Sequence, residues 1–156
     1  MSKRAAHVKT DEARVLRLER RHNPKLHPPA EIDQKEERVN MVVKRRQKAE
    51  VSRIFRKLSK ENAFYFFTSV GNYTGESASS SEAFLERIEE TDLKSLQFHL
   101  YRGDFEKWIA EALEDKELAE EIRNLQSLKP AGDTLRNQLV LIVSKRYEKL
   151  LREVVR

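Results

Sequence analysis

The stretch LKSLQFHLYRGDFEKWIAEAL, residues 93–113, decides the fold. Leu93, Leu96 and Leu100 recur at helical spacing, and so do Phe105, Trp108, Ile109 and Leu113. Arg102-Gly103-Asp104 lies between the two sets. Gly ends a helix in the left-handed conformation at little steric cost, and Asp is a favoured N-cap. The pattern predicts two helices meeting at a tight corner, both apolar stripes turned into one core. Leu96, Leu100, Phe105, Trp108 and Ile109 are the expected core, with Gly103 and Asp104 as the hinge.

Working outward, the chain downstream continues in helical periods. Asp115 restarts a helix through Leu118, Ile122, Leu125 and Leu128, and Lys129-Pro130-Ala131-Gly132 breaks it. Asp133 or Thr134 then caps a last helix carrying Leu135, Leu139, Ile142, Val143, Tyr147, Leu150, Leu151 and Val154 along one side. Upstream, Thr91 or Asp92 caps the quoted stretch. Ser79, Ser80 or Ser81 caps a helix with Ala83, Phe84, Leu85 and Ile88, and Ser79 with Glu82 fits a capping box. Residues 63–70, AFYFFTSV, are the best strand candidate, followed by turn formers. They read equally as a short hairpin onto 72–77 or as an irregular aromatic segment laid across the helices.

The fold class expected is mainly α: a compact multi-helix domain over 61–156, with room for one short strand or hairpin near 63–77, and an extended basic N-terminal arm. Residues 30–60 read as one long basic helix, or two with a kink. Its acidic residues Glu31, Asp33, Glu36 and Glu37 lie towards the start and its basic ones towards the end, as the helix dipole favours. Residues 1–29 read as a basic, partly extended arm. A short helix fits residues 11–21, and three prolines in 24–29 impose an extended path.

Charge divides the chain more sharply than its total of +5 suggests. Residues 1–60 hold 18 Lys and Arg against 8 Asp and Glu, which leaves 13 against 18 in the remainder. A basic segment joined to an acidic domain points to a polyanionic partner for the first part only. There is no cysteine, which excludes disulfides, thiolate zinc sites and cysteine nucleophiles and fits a reducing cytoplasm. No apolar run approaches the roughly 20 residues of a membrane span, and the N-terminus has no apolar signal core. A cytoplasmic location without membrane association is expected.

Catalytic signals are sparse. No HExxH, P-loop or GxSxG pattern occurs. His7, His22 and His27 lie in the basic arm without clustered carboxylates, so neither a metal nor a cofactor is expected. His99 and Asp104 would make an acid–base pair if the turn folded one over the other. The stronger reading is structural, with Asp104 occupied as an N-cap and His99 held in the core. No catalytic residue is assigned.

The basic segment is the better signal. Nucleic-acid-binding candidates are Lys3, Arg4, Lys9, Arg14, Arg17, Arg20, Arg21, Lys25, Lys44, Arg45, Arg46, Lys48 and Arg53. The partner expected is RNA, extending to ribosomal RNA and ribosomal proteins. An acidic protein partner, met by an adaptor domain that presents an apolar groove, is the alternative. An enzyme centred on His99 and Asp104 ranks last.

From about Ala63 onward the chain resembles a family of small, functionally uncharacterised helical domains of archaea and bacteria. The resemblance rests on FYFFTSVGNYTGESASS and on DLKSLQFHLYRGDFEKWI, an SLxFHLxRGDFxxW-like motif, followed by Asp115, Glu117, Leu118 and Ala119. Its marks here are His99, Arg102, Asp104, Phe105 and Trp108. Members of that family occur alone or joined to other domains, including glycosyltransferase-like ones. The resemblance implies an all-helical accessory domain and brings no activity or catalytic residue. The basic arm lies outside it.

Overall fold

The computed structural model of the protein describes residues 29–156, with side chains from Asp33 onward. The arm, including Lys3, Arg4, Lys9, Arg14, Arg17, Arg20, Arg21 and Lys25, lies outside the described residues, as do the helix expected at 11–21 and most of the proline segment. The chain divides into two units, Met1–Val43 and Lys44–Arg156. Of the first unit, the described part is helix, exposed throughout residues 33–43. The second unit holds the core.

Helix α1 spans Pro29–Ile54. Pro29 suits a first helical position, because its missing N–H is one that a helix start leaves unpaired anyway. The helix stops at Ile54, six residues short of the expected Lys60. The chain there is drawn into tertiary bonds: the Leu58 N–H donates to the Ser79 carbonyl at 2.7 Å. A single 3-10 turn, Lys60–Asn62, leads into the hairpin.

Strands β1 (Phe64–Ser69) and β2 (Asn72–Ala78) pair antiparallel, which settles the aromatic segment as a hairpin. The domain is therefore mainly helical rather than all-helical. Ser69 opposes Asn72 across the turn Val70-Gly71, and Gly71 takes φ +77° there. Register slips on either side of Phe67, and Gly75, at φ +88°, lies in the irregular part of β2. Phe64 and Phe66 point into the core.

Five α-helices follow: α2 (Ser81–Glu90), α3 (Leu93–Arg102), α4 (Asp104–Trp108), α5 (Lys116–Ser127) and α6 (Gly132–Val155). Between α4 and α5, residues Ile109–Leu113 form a π-helical turn that closes with Glu114 left-handed at φ 61°. The Asp115 N–H then reaches back to the Ile109 carbonyl at 3.1 Å. Phe84 and Ile88, Leu96 and Leu100, Phe105, Ile109 and Leu113, Ile122 and Leu125, and Leu135, Leu139 and Val143 meet with the hairpin's phenylalanines in one core. Each such side chain contributes about 1.5–3 kcal/mol by leaving water. Leu96, Leu100, Phe105 and Ile109 are core as expected. Trp108 is half-buried, its Nε1–H donating to the Asn62 carbonyl at 2.8 Å. A second cluster joins Val51 and Ile54 of α1 to Leu150 of α6, with Phe55 packed on Tyr147 edge to face.

Three of the helix starts fall among the expected caps, while the capping box and the cap of the last helix do not form. Ser80, not Ser79, caps α2, its hydroxyl accepting from the Ala83 N–H at 3.1 Å, so no capping box forms with Glu82. Asp92 caps α3 and Asp115 caps α5. Helix α6 begins at Gly132 behind Ala131 with no side-chain cap, because Asp133 and Thr134 already lie inside it. Arg136 instead serves the end of α2, donating to the carbonyls of Ile88, Glu89 and Thr91 at 2.6–3.1 Å. Those carbonyls are the orphans that a helix C-terminus leaves, and a guanidinium there also suits the dipole.

Candidate functional site

The corner after α3 brings His99, Arg102 and Asp104 together. Gly103, left-handed at φ 76°, ends α3 with its N–H on the carbonyls of His99 and Leu100. The turn folds Asp104 back, and its Oδ2 lies 2.8 Å from His99 Nδ1 and 3.3 Å from Arg102 Nε. Asp104 is thus not an N-cap. Its carboxylate is taken by a histidine and an arginine, and α4 starts behind Gly103 without a side-chain cap.

The pair forms, yet both imidazole nitrogens are taken. His99 Nε2 accepts from the Phe67 backbone N–H at 2.8 Å. That donor fixes the tautomer: Nε2 is the acceptor, and Nδ1–H donates to Asp104. The ring is 4 % exposed and lies against Phe64, Phe67, Phe98 and Phe105. Burial pushes its pKa below the ordinary histidine value, although Asp104 pulls the other way. A second ring proton would also face the Phe67 N–H. The imidazole is a neutral staple between α3 and the edge of β1: the Asp104 pairing that the spacing allowed does form, and the Phe67 amide is the partner that the spacing did not name.

Beside the staple lies an open groove of about 390 Å³ between β1, its turn and the end of α3. Phe64, Phe67, Val70 and Phe98 supply apolar walls, and Arg102 and Asp104 supply charge. The Arg102 guanidinium stands over the Phe98 ring, 4.8 Å from its centroid. Phe98 went unnoticed as a site residue in the sequence. The signal was its spacing, four residues before Arg102 on one helix face.

The described basic candidates all lie on α1. Lys44, Arg45, Arg46, Lys48 and Arg53 are exposed. At about 100° per residue, Lys44, Arg45 and Lys48 share one face and Arg46 lies on the opposite one. Arg53 stands 3.8 Å from Glu114, a pair exposed enough to contribute little.

A further charge cluster escaped the sequence reading. Arg146 of α6, 7 % exposed, donates through Nε to both oxygens of Asp115, at 3.2 and 3.0 Å, while Asp115 is 1 % exposed. Its Nη1 reaches Glu117 at 2.6 Å, and Lys149 completes the set. The Lys149 ammonium, with Arg146 adding to it, holds the Glu117 carboxyl below its usual range. Every member has a partner, so the cluster fastens α5 to α6. Its members lie some 30 residues apart, which no local pattern reveals. Among the described residues no group of three or more His, Cys, Asp or Glu is placed to hold a metal ion, and no helix is long and apolar enough to cross a membrane.

A family model matches residues 59–154; its description reads family of unknown function (DUF5752). No curated protein and no solved structure matches the chain.

Proposed function

The chain belongs to the family of unknown function DUF5752, which brings no activity with it, and on that premise we propose that it is a non-enzymatic, cytoplasmic RNA- or ribonucleoprotein-associated protein. The observation that carries the proposal is the run of exposed cations Lys44, Arg45, Arg46 and Lys48 on α1, on a helix that presents them to solvent. Cations arrayed on a surface bind phosphates by releasing counterions, and affinity grows with the number neutralised. In sequence, Lys3, Arg4, Lys9, Arg14, Arg17, Arg20, Arg21 and Lys25 add to this array, and association with a ribosome would engage both sets. The SLxFHLxRGDFxxW-like run is taken as the motif of the family, and archaea and bacteria as its range. The corner it forms serves the fold, while contact with RNA falls to α1 and the arm.

Salt dependence tests the proposal. Binding of the full chain to a structured RNA should fall steeply as salt rises. Reversing three cations together (K44E/R45E/K48E) should lower the slope of log affinity against log salt by about 2–3. Binding by the triple variant equal to wild type at every salt concentration would remove the proposal.

A second reading, a protein-interaction adaptor with an acidic partner, draws on the apolar groove beside Arg102. Co-purification from native lysate with and without nuclease separates the two. A partner set unchanged by nuclease and free of ribosomal proteins favours the adaptor.

A further inference from the structure

The groove beside β1 holds a guanidinium that already has two neighbours to orient it. Arg102 is steadied by stacking on Phe98 and by Asp104 at its Nε. Both contacts leave the terminal nitrogens Nη1 and Nη2 without a partner among the described residues. The side chain is half exposed and lines the groove. An arginine with Nε engaged and its fork open offers two parallel N–H donors, the geometry that matches a carboxylate.

Three further observations narrow the ligand. First, Phe98 lies under the guanidinium, and the groove it opens on is walled by Phe64, Phe67 and Val70, the last 83 % exposed. They suit an apolar body rather than a sugar. Second, Asp104 shares the groove, so a dianionic phosphate would meet a carboxylate beside its single cation. With Asp104 beside Arg102 the corner carries no net charge, so a monoanion held by the open fork meets less repulsion than a dianion. Third, the β1 edge is closed where an added strand would need it, because the Phe67 N–H is given to His99. An extended peptide pairing along β1 has no donor there, whereas a ligand entering end-on needs none.

We propose that the groove between β1 and the end of α3 binds a monoanionic carboxylate carried on an apolar body, with Arg102 as the fork that receives it. Its volume falls within the range of small-molecule sites. The carboxylate comes either from a small organic acid or from the end of a polypeptide with an apolar last residue. The site is independent of phosphate binding by α1.

The test is an amide-resolved NMR titration of the full chain with phenylacetate, and in parallel with phenylacetamide, which keeps the ring and loses the charge. At concentrations up to about 10 mM, suited to a fragment, phenylacetate should shift Phe67, Ser69, Phe98 and Arg102. Phenylacetamide should bind about tenfold or more weakly, as expected when a charged hydrogen bond is lost. R102Q should lose the phenylacetate response with an unchanged thermal midpoint, and R102K should fall between, because it keeps charge without the fork. F98L, which removes the stacking platform, should weaken binding independently. A peptide ending in phenylalanine, with a free or an amidated end, forms the second arm. Tighter binding of the free-ended peptide than of phenylacetate assigns a chain terminus, and the reverse assigns a small acid. Equal response to phenylacetate and phenylacetamide would overturn the proposal. So would no response near the groove, or an R102Q response equal to wild type.

Discussion

Replacing His99 by alanine tests the staple most directly. The substitution removes the acceptor of the Phe67 N–H and leaves that amide without its partner at the groove wall. The bond is part-buried beside an open groove, where water can take over the freed donor, so its loss costs about 1 kcal/mol, the low end for such a donor. The ring also leaves a gap among Phe64, Phe67, Phe98 and Phe105, for which about 2 kcal/mol is reasonable given the series of core truncations. Loss of the Asp104 bond adds little, since that carboxylate is partly exposed and keeps Arg102. The expected total is about 3 kcal/mol in urea unfolding, or a fall of about 10 °C in thermal midpoint for a chain of this size. His99→Gln cannot hold both bonds and should cost less than alanine but remain destabilising. A loss below about 1 kcal/mol in H99A would refute the structural account of this residue. If binding or activity failed at the same time, His99 would have to be counted as a site residue.

Three other outcomes follow from the same geometry. Burial lowers the His99 pKa, so the folded state keeps it neutral and the unfolded chain takes the proton first; the stability advantage of wild type over H99Q should be constant above about pH 6.5 and shrink as pH falls towards the folded value, as read from urea midpoints between pH 8 and pH 5. An advantage that grew on acidification would mean a cationic His99 paired with Asp104. Asp115→Ala leaves the buried Arg146 Nε without its carboxylate, with Glu117 still on Nη1, and removes the α5 cap, so it should cost about 3 kcal/mol by chemical denaturation; D115N keeps a capping oxygen and should cost less. Gly103→Ala meets no atom within 4 Å, so its cost should be the backbone's alone, about 1 kcal/mol by the same assay.

Legibility in the sequence tracked the range of the interaction. The stripes of Leu96/Leu100 and Phe105/Ile109, the left-handed Gly103 and the cap at Asp115 all depend on neighbours within a turn or two, and periodicity and residue type reveal them. Asp104 did not follow its local preference: its carboxylate is taken by His99 and Arg102, and α4 starts without a side-chain cap. The start of α6 shows the same limit: Asp133 and Thr134 are good caps in isolation, yet the helix already begins at Gly132. The candidate site was half legible. His99, Arg102 and Asp104 stood out by residue type, but the amide of Phe67 and the stacking of Phe98, which decide what those residues can do, come from the packing of β1 against α3. The Arg146–Asp115 pair was invisible, since 31 residues separate partners that share no motif. The exposed cations of α1 were readable from composition alone, because exposure is the ordinary state of such residues.

The π turn at Ile109–Leu113 carries a consequence for chain length. It takes one more residue per turn than an α-helix would, and Ile109 and Leu113 are both buried across it. Deleting Ala110 or Glu111 would leave four residues at about 100° each where five now sweep nearly the same angle in a wider turn, so the segment would close as ordinary α ladder and Leu113 would keep its face. Glu114, left-handed, ends the helix there, and Asp115 starts α5 afresh, so the lost residue is not passed on to Leu118 and Ile122. A residue lost from a plain α stretch re-phases all that follows it, whereas one lost from this turn is absorbed on the spot. The π turn is therefore a length reserve in this fold. The two-residue turn at Val70-Gly71, which joins two exposed strand ends at the rim of the groove, is where extra residues would be absorbed without disturbing the core.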